Sequence, residues 1–316
     1  MLPHWIFWVV FNGFVLAMLA LDLGVFRRER RAPTLREAIG WTVLWIALAA
    51  IFAVLVYAFG NDMVGGTSRS NPQLTLEFLT GYVIEQSLSV DNLFLFLLIF
   101  RYFDVPDALQ HTVLFWGVVG ALIMRGVFIV AGVALLNHFH WVSYVFGAIL
   151  VYSGIRLFRQ HGAKVPPEPN VVLRAFRKLF RVSDAYEGDR FFVRHGGLTY
   201  ATPLMLVLLV VETTDLIFAV DSIPAVLAVT RVPFVAYTSN AFAILGLRSL
   251  FFVLSGMIER FHLLHYGLAL ILVLIGAKML VSNYVEVRTE IALLLIAVIL
   301  LASICWSLIV PKPADG

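Results

Sequence analysis

Nine apolar runs, each close to the length of a bilayer crossing, decide what this chain can fold into. They lie at about 5–26, 40–59, 76–100, 112–136, 141–158, 199–229, 234–257, 264–283 and 290–310. In hydrocarbon no water satisfies the backbone N–H and C=O groups, so segments of roughly 20 apolar residues resolve into helices. The 316 residues are 61% hydrophobic and 14% charged, with a mean hydropathy of +0.91. That is more apolar surface than a water-soluble domain can hide. The expected fold is all-α and polytopic, with about nine transmembrane helices.

The few cations give the expected orientation. With the N-terminus outside, 17 of the 23 Lys and Arg residues fall in inner segments and 3 in outer ones. The remaining three, Arg125, Arg248 and Lys278, lie within spans. Lys and Arg accumulate on the cytoplasmic side of membrane proteins, so the C-terminus is expected inside as well. The first run has no Lys or Arg before it and an arginine cluster after it, which reads as a retained span rather than a cleaved signal. The net charge of +3 is small and sits in loops, a poor match for nucleic acid. The single cysteine, Cys305, excludes an intramolecular disulfide, a Cys-rich zinc site and a dithiol redox centre.

The longest inner loop, about 159–197, opens with a Pro-rich stretch from Val165 to Pro169. It then places Val172, Phe176, Leu179 and Phe180 on one helical face against Arg174, Arg177, Lys178 and Arg181. A basic amphipathic helix of this kind lies on anionic lipid. A solvated connector is the alternative.

Inside the apolar runs one acidic pattern occurs twice: Glu85…Asp91-Asn92 and Asp215…Asp221-Ser222, with Glu212 one turn before the second copy. Acids at membrane depth cost several kcal/mol each and mark ion or proton paths. Together with Ser89 and Thr214 these residues form a set of hard oxygen donors, which suits Mn²⁺, Mg²⁺ or Ca²⁺ better than Cu⁺ or Zn²⁺. Several carboxylates around one dry site repel one another, which would permit proton-coupled cation exchange. At about 100° per residue, Asn92 returns to the face of Glu85 while Asp91 points about 120° away. The same offset separates Asp215 from Asp221. Either each helix feeds two groups, or it is interrupted so that both acids converge; Pro224 favours interruption in the second copy.

Arg125 and Arg248 are expected to brace these acids rather than bind an anion. Acids that merely pair with the arginines as helix–helix glue are the structural alternative. Arg156 and Lys278, near span ends, are expected to snorkel. His138 and His140 form a weak pair with no third ligand and read as interfacial.

Other matches share this order. Arg125-Gly-Val-Phe-Ile-Val-Ala-Gly132 parallels Arg248-Ser-Leu-Phe-Phe-Val-Leu-Ser255, and the stretch Tyr144–Arg156 parallels Tyr266–Lys278. The three offsets are 130, 123 and 122 residues. Spans 3–5 therefore repeat as spans 6–8. Three helices is an odd number, so the second copy enters from the opposite side, an inverted repeat with its site near the midplane. The expected organisation is two helices and a basic inner loop in 1–75, a first repeat in 76–158 and the basic loop in 159–198. A second repeat in 199–283 and a final helix with a short tail in 284–316 complete it.

The stretches Phe78–Phe94, Thr199–Ala225 and Thr238–Arg248 resemble the TerC family of integral membrane proteins, particularly its Alx-like branch. The likeness runs from the first span to about the eighth. It implies a bacterial inner-membrane Mn²⁺ exporter, related in fold to LysE-type exporters, and no enzyme activity. The family's acidic positions carry over onto Glu85, Asp91, Asp215 and Asp221, with Glu212 and Asn92 participating. Lipid and a divalent ion are the expected partners, with self-association left open. A redox component is disfavoured by the lone cysteine and the absence of paired intramembrane histidines. An intramembrane aspartyl hydrolase, or a scaffold serving exported proteins, are the other rivals.

Overall fold

The computed structural model describes residues 3–28, 34–139, 141–159, 171–183, 185–195, 197–255, 264–281 and 289–309. The expected Pro-rich stretch 165–169 and His140 lie outside the described residues.

Helices α1 (His4–Arg28), α2 (Leu35–Val64), α3 (Asn71–Tyr102), α4 (Asp107–His138) and α5 (Val142–Arg159) lead into a short helix, α6 (Val171–Leu179). A hairpin, β1 (Phe192–His195) and β2 (Leu198–Ala201), precedes α7 (Pro203–Leu227), α8 (Pro233–Ser255), α9 (Leu264–Val281) and α10 (Thr289–Ile309). Seven of these helices are long and apolar enough to cross a membrane: α1–α5, α7 and α8. The eighth and ninth expected runs are α9 and α10, with shorter apolar stretches Tyr266–Val281 and Leu294–Ser307. The chain is thus a helical, multi-pass membrane protein.

Local sequence sets the helix ends. Thr34 caps α2 in a reciprocal box with Glu37, and Gly65 closes it at φ +78°, a left-handed conformation suited to glycine. Pro203 starts α7, where its missing N–H costs nothing. The expected interruption of α7 is absent: the helix runs unbroken through Asp215 and Asp221. Pro224 falls so close to the end at Leu227 that one freed carbonyl is tolerated there.

The expected start of the sixth span at residue 199 is also corrected. Residues 198–201 pair with 192–195 as an antiparallel hairpin, and helix begins only at Pro203. The hairpin is tied to its surroundings. The Thr202 hydroxyl donates to the Arg190 carbonyl at 2.8 Å, and Tyr186 donates from its phenol to the Phe103 carbonyl, just past α3, at 2.7 Å. Burial, and then the Asp104 carboxylate, push that phenol up to about 12, so it stays a donor at any physiological pH. The amphipathic helix expected before the hairpin is α6; Leu173 is buried, Phe176 half-buried, and Arg174, Arg177 and Lys178 exposed.

Packing brings the long helices together in matched pairs: α3 against α8, α4 against α7, and α5 against α9. Helix α1 docks by aromatic contact of Trp8 and Phe11 with Phe234, Tyr237 and Phe242, while Tyr237 donates to Asn12 at 2.9 Å. Large side chains such as Val54, Ile123, Val127, Tyr152 and Ile217 point outward, as a lipid-facing surface requires.

The α5–α9 seam is built on glycine. A Cβ placed on Gly154 would stand 2.7 Å from the Ala269 carbonyl oxygen, and one on Gly276 would stand 2.7 Å from that of Gly147. Both neighbours are backbone, which cannot give way locally as a flexible side chain can. Gly154→Ala and Gly276→Ala are each expected to cost about 1–3 kcal/mol through overpacking. Thermal unfolding in detergent reads the loss, and midpoints unchanged in both variants would contradict so close an approach.

Candidate functional site

Helical periodicity sorts the acidic pattern into two places. On α7, Asp215 and Ser222 are seven residues apart, about 20° short of two full turns, so they share a face. Asp221 projects elsewhere. On α3 the same arithmetic puts Ser89 and Asn92 with Glu85. Of the two geometries the sequence leaves open, α7 adopts the one in which a continuous helix feeds separate groups.

The first group centres on Arg125 of α4. Glu85 is 0%, Arg125 2% and Asp215 4% exposed, so all three charges are withdrawn from solvent. Arg125 Nη1 donates to Glu85 Oε1, to Ser222 Oγ at 3.1 Å and to Asn240 Oδ1 of α8 at 3.0 Å. Its Nη2 reaches Asp215 Oδ1 at 3.5 Å. The Ser89 hydroxyl donates to Glu85 Oε1 at 3.2 Å. One residue thus pins α3, α7 and α8 to α4. Glu85 Oε2, Asp215 Oδ2 and Arg125 Nε have no hydrogen-bond partner among the described residues.

The second place is the α5–α7 contact, where the Ser153 hydroxyl donates to Asp221 Oδ1 at 2.5 Å and Arg156 is within electrostatic reach. Asp221 therefore does not join the Arg125 group. Glu212 sits over Gly120 of α4, its carboxylate occupying the space a Cβ there would need. Asn92 is buried on α3 and Thr214 half-buried on α7. Asp91 belongs to α3, with its side chain outside the described set. Arg248 is buried on α8, with His111 of α4 close enough to feel its charge.

Three participants carry no mark in the acidic pattern. Asn240 is one; its signal is an amide inside an apolar helix. Ser153 is another. The third is Glu77 of α3, which is 4% exposed and paired with Arg69, with Thr230 and Lys278 nearby. Lys278 of α9 is half-buried and near Glu77, and Arg156 of α5 is exposed and near Asp221, each close to the end of its helix.

The site is chemically a pair of buried carboxylates held apart by a guanidinium and surrounded by hydroxyl and amide oxygens. No three of the His, Cys, Asp or Glu side chains among the described residues converge as a metal cluster in this arrangement.

Residues 70–314 match the integral membrane protein TerC family, a span that includes both acidic helices and every residue of the Arg125 group. The chain belongs to the TerC family. This TerC protein is 46% identical over 308 residues to the "Uncharacterized membrane protein STKORF319" of Myxococcus xanthus, covering 97% of its own length and 93% of that relative. It is 46% identical over 289 residues to the "Putative membrane-bound redox modulator Alx" of Salmonella typhi, covering 90% and 88%. The protein of the same name from Escherichia coli K12 is 45% identical over 287 residues, covering 90% and 89%. No solved structure matches the chain.

Proposed function

We propose that this TerC protein is a secondary transporter that moves Mn²⁺ outward across the bacterial cytoplasmic membrane, with its N-terminus outside and its C-terminus in the cytoplasm. The observation that carries the reading is the convergence of Glu85 and Asp215, from separate helices, on one buried cationic position, each with an oxygen unclaimed. Buried charge on this scale is expensive, and a membrane protein retains it where an ion passes. Hard oxygen donors suit Mn²⁺, Mg²⁺ and Ca²⁺ alike; Mn²⁺ is the cargo that the resemblance to the family implies, with the other two as secondary cargo. No covalent step is involved in this reading, in which the protein acts as a carrier rather than an enzyme.

An inverted repeat of α3–α5 and α7–α9 supplies the two access states by rocking of one half against the other. Two features support it: matched motifs recur in the same order, and the α5–α9 seam is reciprocal. Gly154 and Gly276 are 122 residues apart, as are their partners Gly147 and Ala269. A redox effect, as the name of the Alx relatives has it, would follow indirectly here from control of a metal ion, because Cys305 is the sole cysteine.

The test is Mn²⁺ flux into proteoliposomes loaded with a metal-quenched dye, with Mg²⁺, Ca²⁺ and Zn²⁺ in parallel. Saturable Mn²⁺ flux exceeding that of Zn²⁺ supports the reading. Absence of flux for every divalent ion, from protein that remains folded, overturns it.

A further inference from the structure

The way Arg125 is held differs from the way a permanent structural arginine is held. A guanidinium that holds a carboxylate firmly is frequently bidentate, with two parallel N–H···O bonds that satisfy both oxygens of the acid. Here both contacts are single. Nη1 is divided among Glu85, Ser222 and Asn240, and Nη2 meets Asp215 only at 3.5 Å. Among the described residues, Nε and one oxygen of each acid have no hydrogen-bond partner. The cation is central and fully enclosed, held closely by Glu85 but only at long range by Asp215, and bidentate with neither.

A divalent ion cannot simply be added to this arrangement. Two positive charges about 4 Å apart repel by about 4 kcal/mol at the effective dielectric of a protein site, and each extra unit of charge adds as much again. Seating the ion between the same carboxylates requires the guanidinium to leave. Conversely, two buried carboxylates facing each other with no cation between them carry an uncompensated desolvation cost. The site is stable with one cation or the other.

We propose that Arg125 is the resident cation of this site: its guanidinium fills the position between Glu85 and Asp215 when no divalent ion is bound, and is displaced when one enters. The inference rests on reading the site as a divalent-cation site. A tethered charge of this kind lets the emptied carrier reorient without leaving bare carboxylates at membrane depth. Net export, which needs the empty carrier to return, then depends on Arg125. Exchange of one Mn²⁺ for another across the membrane does not, because the site is loaded in both directions.

The experiment titrates Mn²⁺ into purified protein in phospholipid nanodiscs, with free Mn²⁺ read by its EPR signal, for wild type, Arg125→Gln and Arg125→Lys. Arg125→Gln is expected to bind Mn²⁺ at least tenfold tighter than wild type, and Arg125→Lys, a shorter cation, to fall between them. In proteoliposomes Arg125→Gln is expected to keep Mn²⁺-for-Mn²⁺ exchange and lose net flux at least tenfold. Binding no tighter than wild type in a folded Arg125→Gln protein would overturn the proposal while leaving the transporter intact. Should that variant fail to fold, Arg125→Lys carries the test, and an affinity equal to or weaker than wild type overturns the proposal in the same way. Wild type that neither binds nor exchanges Mn²⁺ overturns both the transporter reading and this one.

Discussion

Arg125→Ala is expected to lower the stability of the metal-free protein by about 3–5 kcal/mol, the cost of leaving a buried charge without its partner. The arginine joins α4 to α3, α7 and α8 through Glu85, Ser222, Asp215 and Asn240, so its loss exposes two uncompensated carboxylates at once. The decisive comparison is the triple variant Arg125→Ala, Glu85→Gln, Asp215→Asn. Removing the acids removes the penalty, so the triple variant should recover most of the lost stability and be strongly non-additive with the single changes. Unfolding midpoints in detergent measure both. Equal losses in the single and triple variants would mean the cost came from the cavity left by the side chain rather than from charge.

Transport should separate the acids that the sequence pattern groups together. In proteoliposomes, Glu85→Gln and Asp215→Asn are each expected to reduce Mn²⁺ flux at least a hundredfold, about 2.8 kcal/mol of lost interaction. Asp221→Asn is expected to cost less than tenfold. Its carboxylate faces Ser153 of α5, on a different side of α7 from the Arg125 group. The amide that replaces it still accepts the Ser153 hydrogen bond. A loss at Asp221 as large as at Asp215 would extend the ion's route to the α5–α7 contact.

The apolar runs suffice to place the helices, because length and hydropathy are local properties. Face arithmetic is nearly as informative: seven-residue spacing puts Ser222 with Asp215, and a six-residue spacing sends Asp221 elsewhere. The interruption expected at Pro224 does not occur because proline harms only the carbonyl one turn back, and α7 has only three more residues to run. What periodicity cannot supply is partnership between helices. Asn240 meets Arg125 across 115 residues of chain, and nothing in either segment alone announces the contact. The hairpin is hidden for a different reason: the Gly-Gly pair at 196–197 is a two-residue turn signal, but its short strands border a long apolar run that outweighs them.

Under the proposed function, the glycine seam between α5 and α9 bears on the direction of transport. Gly154 on Ala269 and Gly276 on Gly147 are the same contact made twice, once by each helix. A tilt that loosens one end of such a joint tightens the other by an equivalent amount, so tilting in either sense costs about the same. A joint of that kind carries no built-in bias toward one side of the membrane. Under the proposed function, the sense of net movement would then be imposed by the ion gradients across the membrane, and reversing them should run the carrier backwards.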